Sequence, residues 1–126
     1  MLKVEAAFGG FTVDDLDVAK QFYGETLGLT FNEQMGGIDI KLPDGSRVWI
    51  YAKDDHQAAG YTTLNFVVAN IDEAVDELVS KGVKVEHYPV SYQDEKGIMR
   101  GKDHDMGPNI AWFKDPAGNI LSVLEP

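Results

Sequence analysis

The chain states one short pattern twice, and that duplication constrains its fold more than any single motif. Phe11, Val13, Asp17 and Ala19 recur as Phe66, Val68, Asp72 and Ala74 at one spacing of 55 residues (66 minus 11), and Leu16 returns as Ile71. Pro43 and Gly45 recur as Pro116 and Gly118 at a spacing of 73 (116 minus 43), so the second copy carries an insert of about eighteen residues, the difference of the two spacings. A duplication of this kind implies two like units that bury their apolar faces together. The insert is where the copies are free to differ in function.

Each copy reads strand, helix, strand, strand, strand. Asp14-Asp15 precede a stripe of Leu16, Ala19, Phe22, Tyr23 and Leu27 ended by Gly28, which predicts an amphipathic helix of about three turns. Its counterpart opens on Asn70, three residues before Glu73, and runs through Ile71, Ala74, Val75 and Leu78 to Gly82. Strands are expected over 3–13, 29–34, 38–42 and 47–52 in the first copy, with turns at Gly36-Gly37 and Asp44-Gly45. In the second they are expected over 62–68, 83–87, 110–114 and 119–124, with Asp115-Pro116-Ala117-Gly118 as the last turn. The polar stretch from Asp54 to Gly60 reads as the join.

Strand alternation then assigns faces. Val48 and Ile50 share the face that packs on a helix, so Arg47, Trp49 and Tyr51 look the other way. By the same parity Phe8, Gly10 and Thr12, and in the second copy Thr63, Asn65, Val67, Ile120, Ser122 and Leu124, lie on the far face. A far face of mixed polar and aromatic residues suits a small-molecule cavity. Gly9 and Gly10 inside a strand suggest a bulge or a close approach to the backbone.

Composition narrows the function classes. A length of 126 residues with 44% hydrophobic residues supplies one real core, in a single domain. Met1 to Val13 is broken by Lys3, Glu5 and Gly9-Gly10 and offers neither a signal-peptide core nor a membrane span, so a cytoplasmic protein without membrane association is expected. Without cysteine there is no disulfide, thiolate metal site or cysteine nucleophile. The formal charge of −10, with only eleven Lys and Arg spread along the chain, argues against nucleic acid as a partner. The acidity either favours a cationic ligand or simply solvates two outer helix faces.

The run Asp15-Leu16-Asp17-x-Ala19-x-x-Phe22-Tyr23-x-x-x-Leu27-Gly28 and the closing Asp115-Pro116-x-Gly118-Asn119 resemble the vicinal oxygen chelate superfamily, which includes glyoxalase I, extradiol dioxygenases and bleomycin-resistance proteins. The resemblance covers almost the whole chain. It implies an α+β fold of two tandem βαβββ modules, about 1–53 and 61–126, forming a cupped mixed sheet and often paired as a homodimer. Metal-dependent members carry ligands at four places, and carried over by spacing those places are Phe8, Trp49, Thr63 and Ser122. Phe8 and Trp49 cannot ligate, and the two hydroxyls are weak neutral ligands, so neither a metal nor another cofactor is expected. His56, His87 and His104 lie in a linker, at a strand end and in the insert, and do not restore a ligand set.

Within the insert, Gln93 to Gly101 brackets Ile98, Met99 and Arg100 with glycines. Two readings stand beside each other: a mobile loop presenting Met99 and Arg100 over the cavity, or an arginine paired with one of the many acidic residues. Trp49, Tyr51 and Trp112 either stack a planar or cationic ligand or serve as core. The expectation is a metal-independent small-molecule-binding protein of the drug- or metabolite-sequestering type. Its contacts would come from Phe8, Trp49, Tyr51, Thr63, Asn65, Met99, Arg100, Trp112 and Ser122. The alternative is a lyase, isomerase or dioxygenase-like enzyme of the same superfamily, for which no nucleophile and base pair is legible.

Overall fold

Asp15 follows the first strand and caps the first helix, its carboxylate accepting the Val18 N–H at 3.1 Å. The computed structural model describes residues 1–89 and 93–126. They form two compact units, Met1–Ala58 and Ala59–Pro126. In the first, strand β1 (Gly9–Val13) leads into α1 (Leu16–Lys20), a π-helical turn over Gln21–Thr26, then β2 (Thr30–Gln34), β3 (Gly37–Lys41) and β4 (Arg47–Ala52). The second runs β5 (Thr62–Val67), α2 (Ile71–Ser80), β6 (Met99–Arg100), a 3-10 turn over Gly101–His104, β7 (Asn109–Lys114) and β8 (Ile120–Glu125).

Both sheets have the same order, β1-β4-β3-β2 and β5-β8-β7-β6. The first strand pairs parallel with the last, and the other pairings are antiparallel. This is the expected α+β architecture. In the first unit the sheet face toward the helix is sealed by Val13, Ile38, Ile40, Val48 and Ile50 against Ala19, Phe22 and Tyr23. In the second, Ala111, Phe113, Leu121 and Val123 pack with Ile71, Val75 and Leu78. Apolar residues at every second strand position and every third or fourth helical position meet because each set projects to one side of its element.

Several local expectations change. The two helices are not equivalent: Leu27 N–H reaches back to the Phe22 carbonyl at 2.9 Å, one residue further than an α-turn. The widened turn accompanies burial of both neighbouring rings, Phe22 and Tyr23, which meet edge to face at 5.2 Å. The first paired strand begins at Gly9 rather than at Lys3. The hairpin between β2 and β3 turns on Met35-Gly36, both at positive φ (44° and 80°), so Gly37 is free to begin β3.

The largest difference is the outer edge of the second sheet. Residues 83–87 do not form a strand; Val85 makes one bridge to Phe113, and Glu86 N–H donates to the Trp112 carbonyl at 2.8 Å. Further along the same edge of β7, Met99 and Arg100 pair with Ile110 and Asn109. The insert therefore divides one edge strand into two short pieces, and periodicity within either piece is too short to reveal this.

Candidate ligand-binding site

In the first unit the far face is organised around Trp49. Trp49 pairs with Gly10 on one side and Asp39 on the other. The indole lies across Gly37, where an added Cβ would fall 2.5 Å from Trp49 Cη2 and 2.6 Å from the Ile50 carbonyl oxygen. At Gly10 an added Cβ would sit 2.8 Å from the Trp49 carbonyl oxygen, so close strand approach, without a bulge, explains that glycine. Tyr51 stacks on Trp49, ring centroids 6.2 Å apart and planes tilted by 18°. Tyr51 remains 37% exposed and Phe8 70% exposed, so these rings are available to a ligand rather than sealed in a core.

A hollow of about 180 Å³ opens between Phe8, Gln34, Met35, Asp39, Arg47 and Trp49. Asp39 is 4% exposed, and Arg47 meets both its carboxylate oxygens, Nε at 3.1 Å and Nη2 in a closer contact. Hydrogen bonding from Arg47 holds the Asp39 carboxyl below the usual carboxylate range. Asp39 and Arg47 were not among the expected contacts. A charged residue between Ile38 and Ile40, opposite Trp49 in register, is the signal that marks Asp39. At the other end of the ring stack a second hollow, about 320 Å³, is lined by Thr12, Tyr51, Lys53, Asp55, His56 and Gln57. There Thr12 Oγ1 and His56 Nδ1 are 2.6 Å apart.

In the second unit Ser122 is fully buried and donates to Asn65 Oδ1 at 2.5 Å. The register slips between Thr62 and Leu64, placing Thr63 in a bulge from which its hydroxyl donates to the Ile120 carbonyl at 3.1 Å. Thr62, which strict alternation sends to the helix side, instead accepts a hydrogen bond from Trp112 Nε1 at 3.2 Å. Tyr88 meets the Trp112 ring edge-on at 5.6 Å, and burial pushes its phenol pKa up. The Tyr88 hydroxyl has no hydrogen-bond partner among the described residues.

The two insert residues part company. Met99 pairs with Ile110, on the side of the sheet that carries Trp112, whereas Arg100 pairs with Asn109 and turns to the helix side. There its guanidinium forks onto Asp72 (Nη1 to Oδ2 at 3.0 Å, Nη2 to Oδ1 at 2.8 Å) and Nε reaches Asp94 at 3.0 Å. Of the two readings of this arginine, the geometry supplies internal pairing. Lys96 adds bridges to Asp72 and Asp76, each at 3.0 Å, and Gln93 bonds the Tyr88 N–H and the Glu86 and Gly97 carbonyls.

The four positions that the resemblance carries over as metal-ligand places, Phe8, Trp49, Thr63 and Ser122, bear two aromatic rings and two hydroxyls that donate to protein oxygens. That donor set does not fit a divalent ion, which calls for imidazole or carboxylate ligands. No group of three or more His, Asp or Glu side chains suited to a metal occurs among the described residues.

Two βαβββ units with such far faces define a glyoxalase-like protein. The chain belongs to the Glyoxalase/Bleomycin resistance protein/Dioxygenase superfamily, whose model matches residues 6–123. No functionally curated protein matches it in sequence. Among solved structures it is similar to a glyoxalase family protein from Bacillus anthracis, at 21% identity over 99% of this chain and 98% of that one, with a TM-score of 0.70. An integron cassette protein from the Halifax Harbour sewage outfall metagenome aligns at 21% identity over 98% and 100% of the chains, TM-score 0.71. Lactoylglutathione lyase from Agrobacterium tumefaciens aligns at 20% identity over 97% and 94%, TM-score 0.67. At such identities the likeness concerns the fold. No helix among the described residues is long and apolar enough to cross a membrane.

Proposed function

We propose that this protein binds a small planar molecule on the Trp49 face without a metal ion, in the manner of a sequestering protein. The observation that supports the reading is an accessible aromatic stack, Trp49 seated on Gly37 and nearly parallel to Tyr51, at a position that the resemblance matches to a metal ligand of other members. Stacking on such a platform rewards flat, polarisable ligands, and the net charge of −10 favours those bearing a positive charge. The Asp39–Arg47 pair at the rim supplies polar groups that orient the ligand.

The chain has two tryptophans, so Trp112→Phe leaves Trp49 as the only indole reporter. In that background, titration with planar cationic aromatics, glutathione adducts and small oxoacids is expected to quench Trp49 for one of the classes and to raise the melting temperature by mass action. Chelator in excess leaves both responses unchanged. Trp49→Ala is expected to weaken binding by about 1–3 kcal/mol, the range for stacking on one aromatic side chain. Responses that vanish with chelator, or survive Trp49→Ala, refute the proposal.

A catalytic reading stands second, favoured by one observation, the Thr12–His56 contact inside the 320 Å³ hollow. An imidazole beside a substrate-sized space is a candidate proton carrier for a lyase or isomerase. On that reading His56→Gln abolishes turnover while ring quenching of Trp49 persists; turnover that survives the substitution removes it.

A further inference from the structure

The guanidinium of Arg47 is held along one side and open at its end. Arg47 begins β4 opposite Lys41 of β3, and two residues along each strand Trp49 stands opposite Asp39, so all four side chains project to the far face of the first sheet. Both oxygens of the buried Asp39 are taken by Arg47 Nε and Nη2. These bonds leave both Nη1 hydrogens and one on Nη2 without a hydrogen-bond partner among the described residues. The Lys41 ammonium likewise makes no ion pair there. The far-face residues of the flanking strands, Gly10, Thr12, Thr30, Asn32 and Gln34, are uncharged. Along the paired strands this face therefore sets Lys41 and Arg47 against Asp39 alone, one positive charge net in a chain of charge −10.

Resting on the Trp49 face as the binding platform, we infer that the site takes a planar aromatic acid, its ring on Trp49 and its carboxylate on the free end of Arg47. A guanidinium is able to fork onto one carboxylate along its side and onto a second at its end. Asp39 fills the first place, which fixes the plane and direction of the group before a ligand arrives. Arg47, Asp39 and Trp49 line one hollow of about 180 Å³. That is smaller than the roughly 300–1,000 Å³ of drug-sized pockets, so the acid has one or two rings. The net charge of the chain draws cations from a distance. Charges more than about 8 Å away are largely screened at physiological salt, however, so at contact Arg47 and its neighbour Lys41 decide.

Isothermal titration calorimetry of the full chain at about 0.15 M salt, with naphthoate, its carboxamide and N-methylquinolinium as probes of matched size, tests this. The acid is expected to bind at least about tenfold more tightly than the amide, and the cation no better than the amide. The paired substitution D39N/R47Q leaves no buried charge without its partner, so it brings the acid down to the affinity of the amide and leaves the amide as it was. Lys41→Gln, on an exposed residue clear of the pair, weakens the acid alone, by about two- to fivefold. Trp49→Ala weakens all three probes. Equal affinities for acid and amide, a preferred cation, or an acid preference that survives D39N/R47Q overturns the inference and leaves Trp49 standing as the platform. Binding of none of the probes, or binding that survives Trp49→Ala, overturns the platform and the inference together.

Discussion

Arg100→Ala is expected to lower the unfolding free energy by about 1.5–3 kcal/mol, the range for hydrogen bonds to charged groups. The guanidinium joins three parts of the second unit: the edge strand β6 that bears it, the first turn of α2 through Asp72, and the turn at Asp94. Its side chain is 26% exposed and Asp72 46%, so the loss falls short of that for a fully buried pair. Asp94 keeps its bonds from the Lys96 and Ile98 N–H groups at 3.0 and 2.9 Å, so the local turn survives while its tie to the helix goes. Arg100→Lys keeps the charge but not the fork, and an intermediate loss is expected. Denaturant unfolding of the three proteins at neutral pH checks the order.

The same pair gives a pH signature. Hydrogen bonds from Arg100, then Lys96, hold the Asp72 carboxyl well below its ordinary range. A carboxylate depressed in the folded state contributes stability that is complete above its unfolded pKa of about 4 and is lost as pH falls below it. Arg100→Ala should flatten that acid limb. Loss of stability without loss of Trp49 quenching is the expected joint outcome, since the arginine lies on the helix side of the other unit. An unchanged stability with weakened ligand binding would reverse the assignment.

How far the sequence carries such arguments is visible element by element. The duplication and the Phe22-Tyr23-x-x-x-Leu27-Gly28 run lead to the α+β fold because burial alternation and helix stripes are local and repeated. Parity also aims Trp49 and Tyr51 correctly to the far face, where they stack. What local pattern misses are events decided across strands. The bulge at Thr63 reassigns Thr62, and no feature of Thr62-Thr63 alone announces it. The edge strand is split by the insert, so the alternation of Val83 and Val85 about Lys84 reads as a strand that tertiary pairing allows only as a bridge. Arg100 has two legible partners, ligand or carboxylate. The choice between them depends on which face Asn109 occupies, a fact of register rather than of spacing.

Gly37→Ala is expected to cost about 1–3 kcal/mol of stability, the range for overpacking, and to weaken ligand binding at the same time. The added methyl would stand 2.5 and 2.7 Å from indole carbons of Trp49 and 2.6 Å from the Ile50 carbonyl oxygen, inside any real contact. The indole is able to swing away; the carbonyl, held in the β3–β4 ladder, is not. Relief therefore comes mainly from the ring, and a displaced ring no longer lies parallel to Tyr51. Gly36→Ala separates this effect from simple damage to the hairpin. Gly36 has a φ of 80° with nothing within 4 Å of an added Cβ, so alanine there strains the turn without touching Trp49. Both variants lose stability, but in the Trp112→Phe background only Gly37→Ala should shift the Trp49 emission and reduce quenching by the ligand. If the two glycine variants leave emission and affinity alike, the glycine seat does not position the ring, and the case for Trp49 as the binding platform fails with it.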